Sequence, residues 1–87
     1  PQYADEAAST IPTIIEAMRD NMSATAYLKE ACKFLWVLAA ESESCRSKIL
    51  ELDGFAILMQ CIDQNGHDHK LQEAARGAFS QVTVDGA

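Results

Sequence analysis

The sequence predicts an all-α fold, and three observations carry that prediction. Apolar residues recur at the three- and four-residue spacing that puts them on one face of a helix, as in Ile11, Ile14, Ile15 and Met18. The stretch LKEACKFLWVLAA from Leu28 to Ala40 is echoed by LQEAARGAFSQVT from Leu71 to Thr83, with Leu28 set on Leu71 at an offset of 43. Setting Ile11 on Phe55 gives 44, which places one residue of slack in an intervening loop. A period in the low forties belongs to stacked helical units. Finally, no run of four or more residues alternates as a half-buried strand does, except Gln81 to Val84, where helical periodicity accounts for the residues equally well.

Taken in order, Pro1 to Thr10 mixes alanine with acidic residues around Tyr3 and reads as a short helix or a lead-in. Ser9 or Thr10 can cap the next helix, and Pro12 falls in its first turn, where a missing N–H costs nothing. That helix runs to about Asp20. Asn21 to Ala24 breaks the chain, with Ser23 or Thr25 available as a cap, and a long helix follows to about Ala40. At 100° per residue its inward face is Leu28, Ala31, Cys32, Leu35, Trp36 and Ala39, whose small members allow a neighbouring helix to approach closely. Glu41 to Ser44 is a polar break with serine caps. Ile49 and Leu52 then mark a two-turn helix closed by Asp53-Gly54, where Gly54 suits a left-handed C-terminal cap.

The next stripe is Phe55, Leu58, Met59 and Ile62, stopped by Asn65-Gly66. Asp68 can cap the last long helix, whose inward face is Leu71, Ala74, Ala75, Ala78, Phe79 and Val82. Val84 to Ala87 trails off.

Size and composition bound the function. A chain of 87 residues is one domain or part of one, and at this length folding buries only about 60% of the unfolded surface, so the core must pack efficiently. A hydrophobic fraction of 48% with four glycines and two prolines argues against disorder. The net charge of −6, with seven basic residues scattered among thirteen acidic ones, argues against nucleic acid and against acidic membrane surfaces. Phe34 to Ala40 is the longest strongly apolar stretch, far short of the roughly 20 residues that span a bilayer. Three cysteines is an odd number, and Cys32 and Cys61 sit at apolar helical positions, as small buried hydrophobes do in a reducing compartment. The expected location is therefore the cytoplasm or the nucleus.

The order of elements, a short apolar helix, a long alanine-rich helix and a brief helix closed by glycine, resembles the armadillo repeat. LQEAARGAFSQVT is similar to that family's third-helix pattern, approximately LQxxAAxALxNLA. CRSKILELDGF, Cys45 to Phe55, resembles its linking segment NRxxIxxxGGI with Arg46, Ile49 and Gly54 in register, and IPTIIEAM resembles the IPxLVxLL that follows. The matches cover about Ile11 to Val84; a HEAT-like solenoid and an unrelated bundle are the rival readings. The resemblance implies a right-handed α-α superhelix, with a lead-in over 1–10, one unit over 11–54 and an incomplete second unit over 55–87. It implies, too, a face of long helices that binds a partner protein or peptide. Two departures bear on which peptide. Leu38 and Gln81 stand where peptide-binding members carry an asparagine ladder, and Phe34 and Gly77 where a tryptophan often precedes it, which counts against recognition of basic import signals.

The side of the first long helix opposite its core is expected to carry Tyr27, Glu30, Phe34, Val37, Leu38 and Glu41, against Glu73, Arg76, Gly77, Ser80 and Gln81 on the last. The partner-binding face expected from this is Tyr27, Glu30, Phe34, Val37 and Leu38, continued by Gly77 and Gln81, because aromatic and aliphatic anchors supply most interface energy. The bland alternative is that Pro1 to Thr10 or a preceding unit covers it. A second hypothesis is self-association through open ends, Ile11, Ile14 and Met18 at one and Leu71, Phe79 and Val82 at the other. Trp36, on the core face, is read as packing. Cys45 beside Arg46 would be a reactive thiol only if exposed, and His67 and His69 with Cys61 match no closed zinc motif, so neither a metal nor a cofactor is expected. No phosphate loop, paired catalytic carboxylates or nucleophile elbow supports an enzyme.

Overall fold

Polar breaks divide the chain where the turn chemistry places them. A computed structural model describes residues 8–84, so the expected lead-in lies mostly, and residues 85–87 entirely, outside them. The described residues form the helices α1 (Ile11–Asp20), α2 (Thr25–Glu41), α3 (Glu43–Glu51), α4 (Gly54–Gln64) and α5 (His69–Val84) and no strand. The fold is all-α. The long helices α2 and α5 make the most extensive contact, and α4 packs on α5 beside them. The molecule measures 35 × 26 × 19 Å, and the thinnest dimension fits two helix layers of about 10 Å each.

Each helix buries the stripe its spacing dictates, with instructive exceptions. In α1, Ile11, Ile15 and Met18 are buried and Ile14 half-buried, behind Thr10 at the N-cap and the first-turn Pro12. α2 buries Leu28, Ala31, Cys32, Leu35 and Ala39 as expected, but Leu38 joins them and Trp36 is only half-buried. α4 buries Gly54, Ile57, Leu58 and Cys61, whereas Phe55 and Met59, expected inside, are 38% and 43% exposed. The stripe is set one residue away from the expected one. α5 buries Leu71, Ala74, Ala75, Ala78 and Val82, with Phe79 half-buried at its edge.

Burial recurs at one spacing. Ile15 and Leu58, Met18 and Cys61, Leu28 and Leu71, Ala31 and Ala74, Cys32 and Ala75, and Ala39 and Val82 are all buried and all 43 residues apart. The offset of 44 belongs to the turns, where Asn21 and Asn65 each end a helix. α4 is one residue longer than α1, 11 against 10, and Leu71 comes one residue nearer the start of its helix than Leu28 does. Hence Ile11 corresponds to Gly54, not to Phe55.

Side chains close the helix ends, where backbone groups have no intrahelical partner. Asn21 donates from Nδ2 to the Ala17 carbonyl at 2.7 Å. Ser42 caps α3, its Oγ accepting from the Cys45 N–H at 3.3 Å. Arg46 donates to the Ala39 carbonyl at 2.6 Å, placing a cation at the negative end of the α2 dipole. Gln72 donates to the Ile62 and Asn65 carbonyls at 2.7 and 3.1 Å, closing α4. Two expected caps differ. Ala24, not Ser23 or Thr25, occupies the N-cap of α2, and Asp53, not Gly54, takes the left-handed conformation at φ 60°. Gly54 instead opens α4 against α3: an added Cβ would overlap the Ile49 side chain, lie 2.8 Å from the Ile49 carbonyl oxygen and 3.2 Å from Cδ1 of Ile15.

Asp68 caps α5 as expected, accepting from the Leu71 N–H at 3.0 Å, and lies 3.8 Å from Lys29 of α2. The Leu71 N–H, helped by Lys29 and the Lys70 N–H, outweighs desolvation and holds the Asp68 carboxyl below its ordinary range.

Gly54→Ala is expected to destabilise the fold by about 1–3 kcal/mol in urea denaturation, because the obstructing atoms include backbone and the layers must separate. Asp68→Ala should lower the urea midpoint at pH 7. The folded-state pKa of Asp68 is depressed, so its contribution is present above the ordinary value of about 3.9 and is lost as pH falls through the lowered one. The midpoint difference between wild type and variant should shrink over that window, and a difference that persists unchanged to pH 2 would exclude the charged cap as its cause.

Candidate functional site

The outward face of α2 follows from its inward one. With Leu28, Cys32 and Leu35 at the centre of the buried stripe, a rotation of 100° per residue turns Ala26, Glu30, Lys33, Val37 and Ala40 to solvent, and all five are exposed. Val37 is 51% exposed and Tyr27, toward one border, 40%. Glu30 and Lys33 pair across 3.5 Å on this face, an exposed contact of the kind that contributes little to stability. Alongside, α5 exposes Glu73, Arg76 and Ser80, and Arg76 donates to Oε1 of Gln72 at 3.4 Å.

The seven residues expected to bind a partner therefore separate. Tyr27, Glu30 and Val37 stand on the exposed face. Phe34 sits at its border, half-buried against the core. Leu38 is 1% exposed and cannot be an outward anchor as the chain is folded, because it lies three residues after Leu35 and seven after Ala31, on the buried stripe. Gly77 is half-buried beneath the Trp36 ring, and Gln81 is half-buried. Lys33, which sequence reasoning did not single out, belongs to the face; its signal was its place three residues after Glu30 and four before Val37.

Most of the residues named for open ends are turned inward. Ile11, Met18, Leu71 and Val82 are fully buried, and Ile14 and Phe79 are half-buried.

Cysteine and histidine positions do not assemble a reactive centre. Cys45 is fully buried, so the exposure that a reactive thiol would need is missing. Cys61 donates from Sγ to Sδ of the half-buried Met22 at 3.7 Å, between α4 and the turn after α1. The hydrogen bond with Cys61 and burial both push the Cys32 thiol far up, so it stays protonated. His67 and His69 are exposed in and after the turn preceding α5, away from the buried Cys61. Among the described residues no three His, Cys, Asp or Glu side chains converge as metal ligands do, and no helix is long and apolar enough to cross a membrane.

Comparison of the chain with protein-family models, curated proteins and solved structures finds no match. Burial makes a direct prediction for the thiols. All three cysteines should react with an aromatic disulfide reagent only as fast as the native state opens, and stoichiometrically at once in denaturant. Rapid native labelling of Cys45 would show that it is reachable in the folded protein.

Proposed function

We propose that the chain is a non-enzymatic protein-interaction module of armadillo-like character, two helical units in a right-handed superhelix that take a partner protein or peptide segment along the exposed faces of α2 and α5. The observation that carries this reading is the exposure of Val37 and Tyr27 on a helix whose other large aliphatic residues are all buried. Burying a Val or Leu side chain stabilises an interface by about 1.5–3 kcal/mol, and a tyrosine adds a large rigid surface with a polar tip. Glu30 and Lys33 on the outward face of α2, and Glu73 and Arg76 on the exposed face of α5, add charges of both signs, as polar rim residues do.

The resemblance of CRSKILELDGF, LQEAARGAFSQVT and IPTIIEAM to armadillo segments supports the architectural part. So do the two uses of resembling positions: Arg46 closes the preceding long helix, and Gly54 lets α4 approach α3. The occupant is expected to have basic character, since the chain carries a net charge of −6.

The test is selection from a randomised peptide library followed by mapping of bound peptides by NMR shift perturbation. Val37→Asp should weaken the selected peptides at least tenfold while changing stability by no more than about 0.5 kcal/mol, as an exposed substitution does. Peptides whose shifts map away from Tyr27, Glu30 and Val37, or that bind Val37→Asp unchanged, would overturn the site.

A further inference from the structure

The contact between α2 and α5 is one-way. Trp36 projects from one flank of α2, and its ring lies against Gly77, where an added Cβ would come within 2.5 Å of ring atoms. Lys29, on the same flank, reaches Asp68 at 3.8 Å. A large ring on α2 thus fills a notch in α5 that only glycine leaves open.

The recurrence at 43 residues shows what stands at the matching positions on the outer flanks. Trp36 corresponds to Phe79, and Gly77 corresponds to Phe34. Residues two apart on a helix point about 160° from one another, so Phe34 lies on the flank of α2 turned away from α5, and Phe79 on the flank of α5 turned away from α2. Phe79 is half-buried and stacks on the exposed Phe55 of α4 with ring centroids 4.7 Å apart. Met59, one turn after Phe55 on the same side of α4, is exposed as well, so the two rings and Met59 make an apolar ridge along α4 and α5. Among the described residues, the far flank of α2 carries Phe34 where the notch would be. The ion pair has no counterpart there either, because Lys29 corresponds to Gln72 and, in the turn register of 44, Asp68 corresponds to Ala24.

Resting on the two-unit reading above, we infer that the Phe79 and Phe55 ridge is shaped for a helix carrying glycine at the notch position, and that a second copy of this chain is rejected there because it presents Phe34. Self-association through repeat-like stacking is blocked by one side chain. The partner that fits is a helical unit whose outer flank is small where this chain's is aromatic.

The chain itself supplies the probe. Sedimentation equilibrium of the full chain should give a monomer across a wide dilution series, whereas Phe34→Gly should associate at least tenfold more tightly, and adding Phe79→Ala to that variant should return it to monomer. Circular dichroism checks that Phe34→Gly keeps its helix content; Phe34→Ala, which opens the same flank without a helix-weakening glycine, is the second variant. The inference is overturned if both Phe34 variants stay at wild-type mass, if their association survives Phe79→Ala, or if the wild type itself forms Phe79-dependent multimers. The partner-binding reading stands or falls separately, on Val37→Asp and its selected peptides. The packing that the two-unit comparison starts from is checked by Gly77→Ala, which should lower the thermal midpoint although alanine favours helix.

Discussion

The close approach of α2 and α5 is the constraint from which the rest of the arrangement follows. Ala31, Cys32 and Ala39 on one helix and Ala74, Ala75 and Ala78 on the other are buried, so that backbones come near and small side chains fill the space between. Small residues remove little apolar surface each. The larger contribution must come from residues at the edges of that seam, and Leu28, Leu35, Leu38, Leu71 and Val82 supply it together with Ile15, Met18, Ile49 and Leu58 from the helices behind. Leu38 is buried with these residues, so the most attractive outward anchor in the sequence is turned inward.

Hydrogen bonds then fix how far each helix can slide. Asn65, the buried polar residue of the core, donates to the Cys61 carbonyl at 3.3 Å and reaches the Met22 carbonyl at 3.5 Å, joining the turn after α4 to the turn after α1. Arg46 and Gln72 reach the ends of α2 and α4 from the elements that follow. Among the described residues no buried side-chain nitrogen or oxygen lacks a partner. An unsatisfied buried group costs about 1–3 kcal/mol, so a slip of one residue at any of these ends would be opposed by more than lost packing.

The parts of this fold that could be read from the sequence are those where large and small residues alternate at helical spacing. The inward faces of α1 and α5, the breaks at Asn21 and Asn65 and the Asp68 cap follow from local pattern alone. α2 is harder because Phe34 to Leu38 is five apolar residues in succession, and such a run names no face. Only the packing of the neighbouring helices around α2 decides that Val37 faces out and Leu38 in. Phe55 to Met59 poses the same problem, and there the buried stripe begins at Gly54, whose lack of a side chain admits Ile49. For the candidate face, the exposure of Tyr27, Glu30 and Val37 was legible, whereas the packing of Gly77 under a ring was not, because it depends on a tryptophan 41 residues earlier in the chain.

Charge distribution adds a kinetic consequence to the proposed function. Several of the few cations are engaged within the fold, Lys29 with Asp68, Lys33 with Glu30, Lys48 with Glu51 and Arg46 with the Ala39 carbonyl. Exposed carboxylates such as Glu16, Asp20, Glu41, Glu43, Asp63 and Glu73 therefore set the sign of the outward field. These surface charges contribute little to stability, and their field falls off over a Debye length of about 8 Å at physiological salt. They can still speed encounter with a cationic segment, while Val37 and Tyr27, once covered, govern how long it stays. On that division added salt slows association without changing dissociation, and a substitution at Val37 does the reverse.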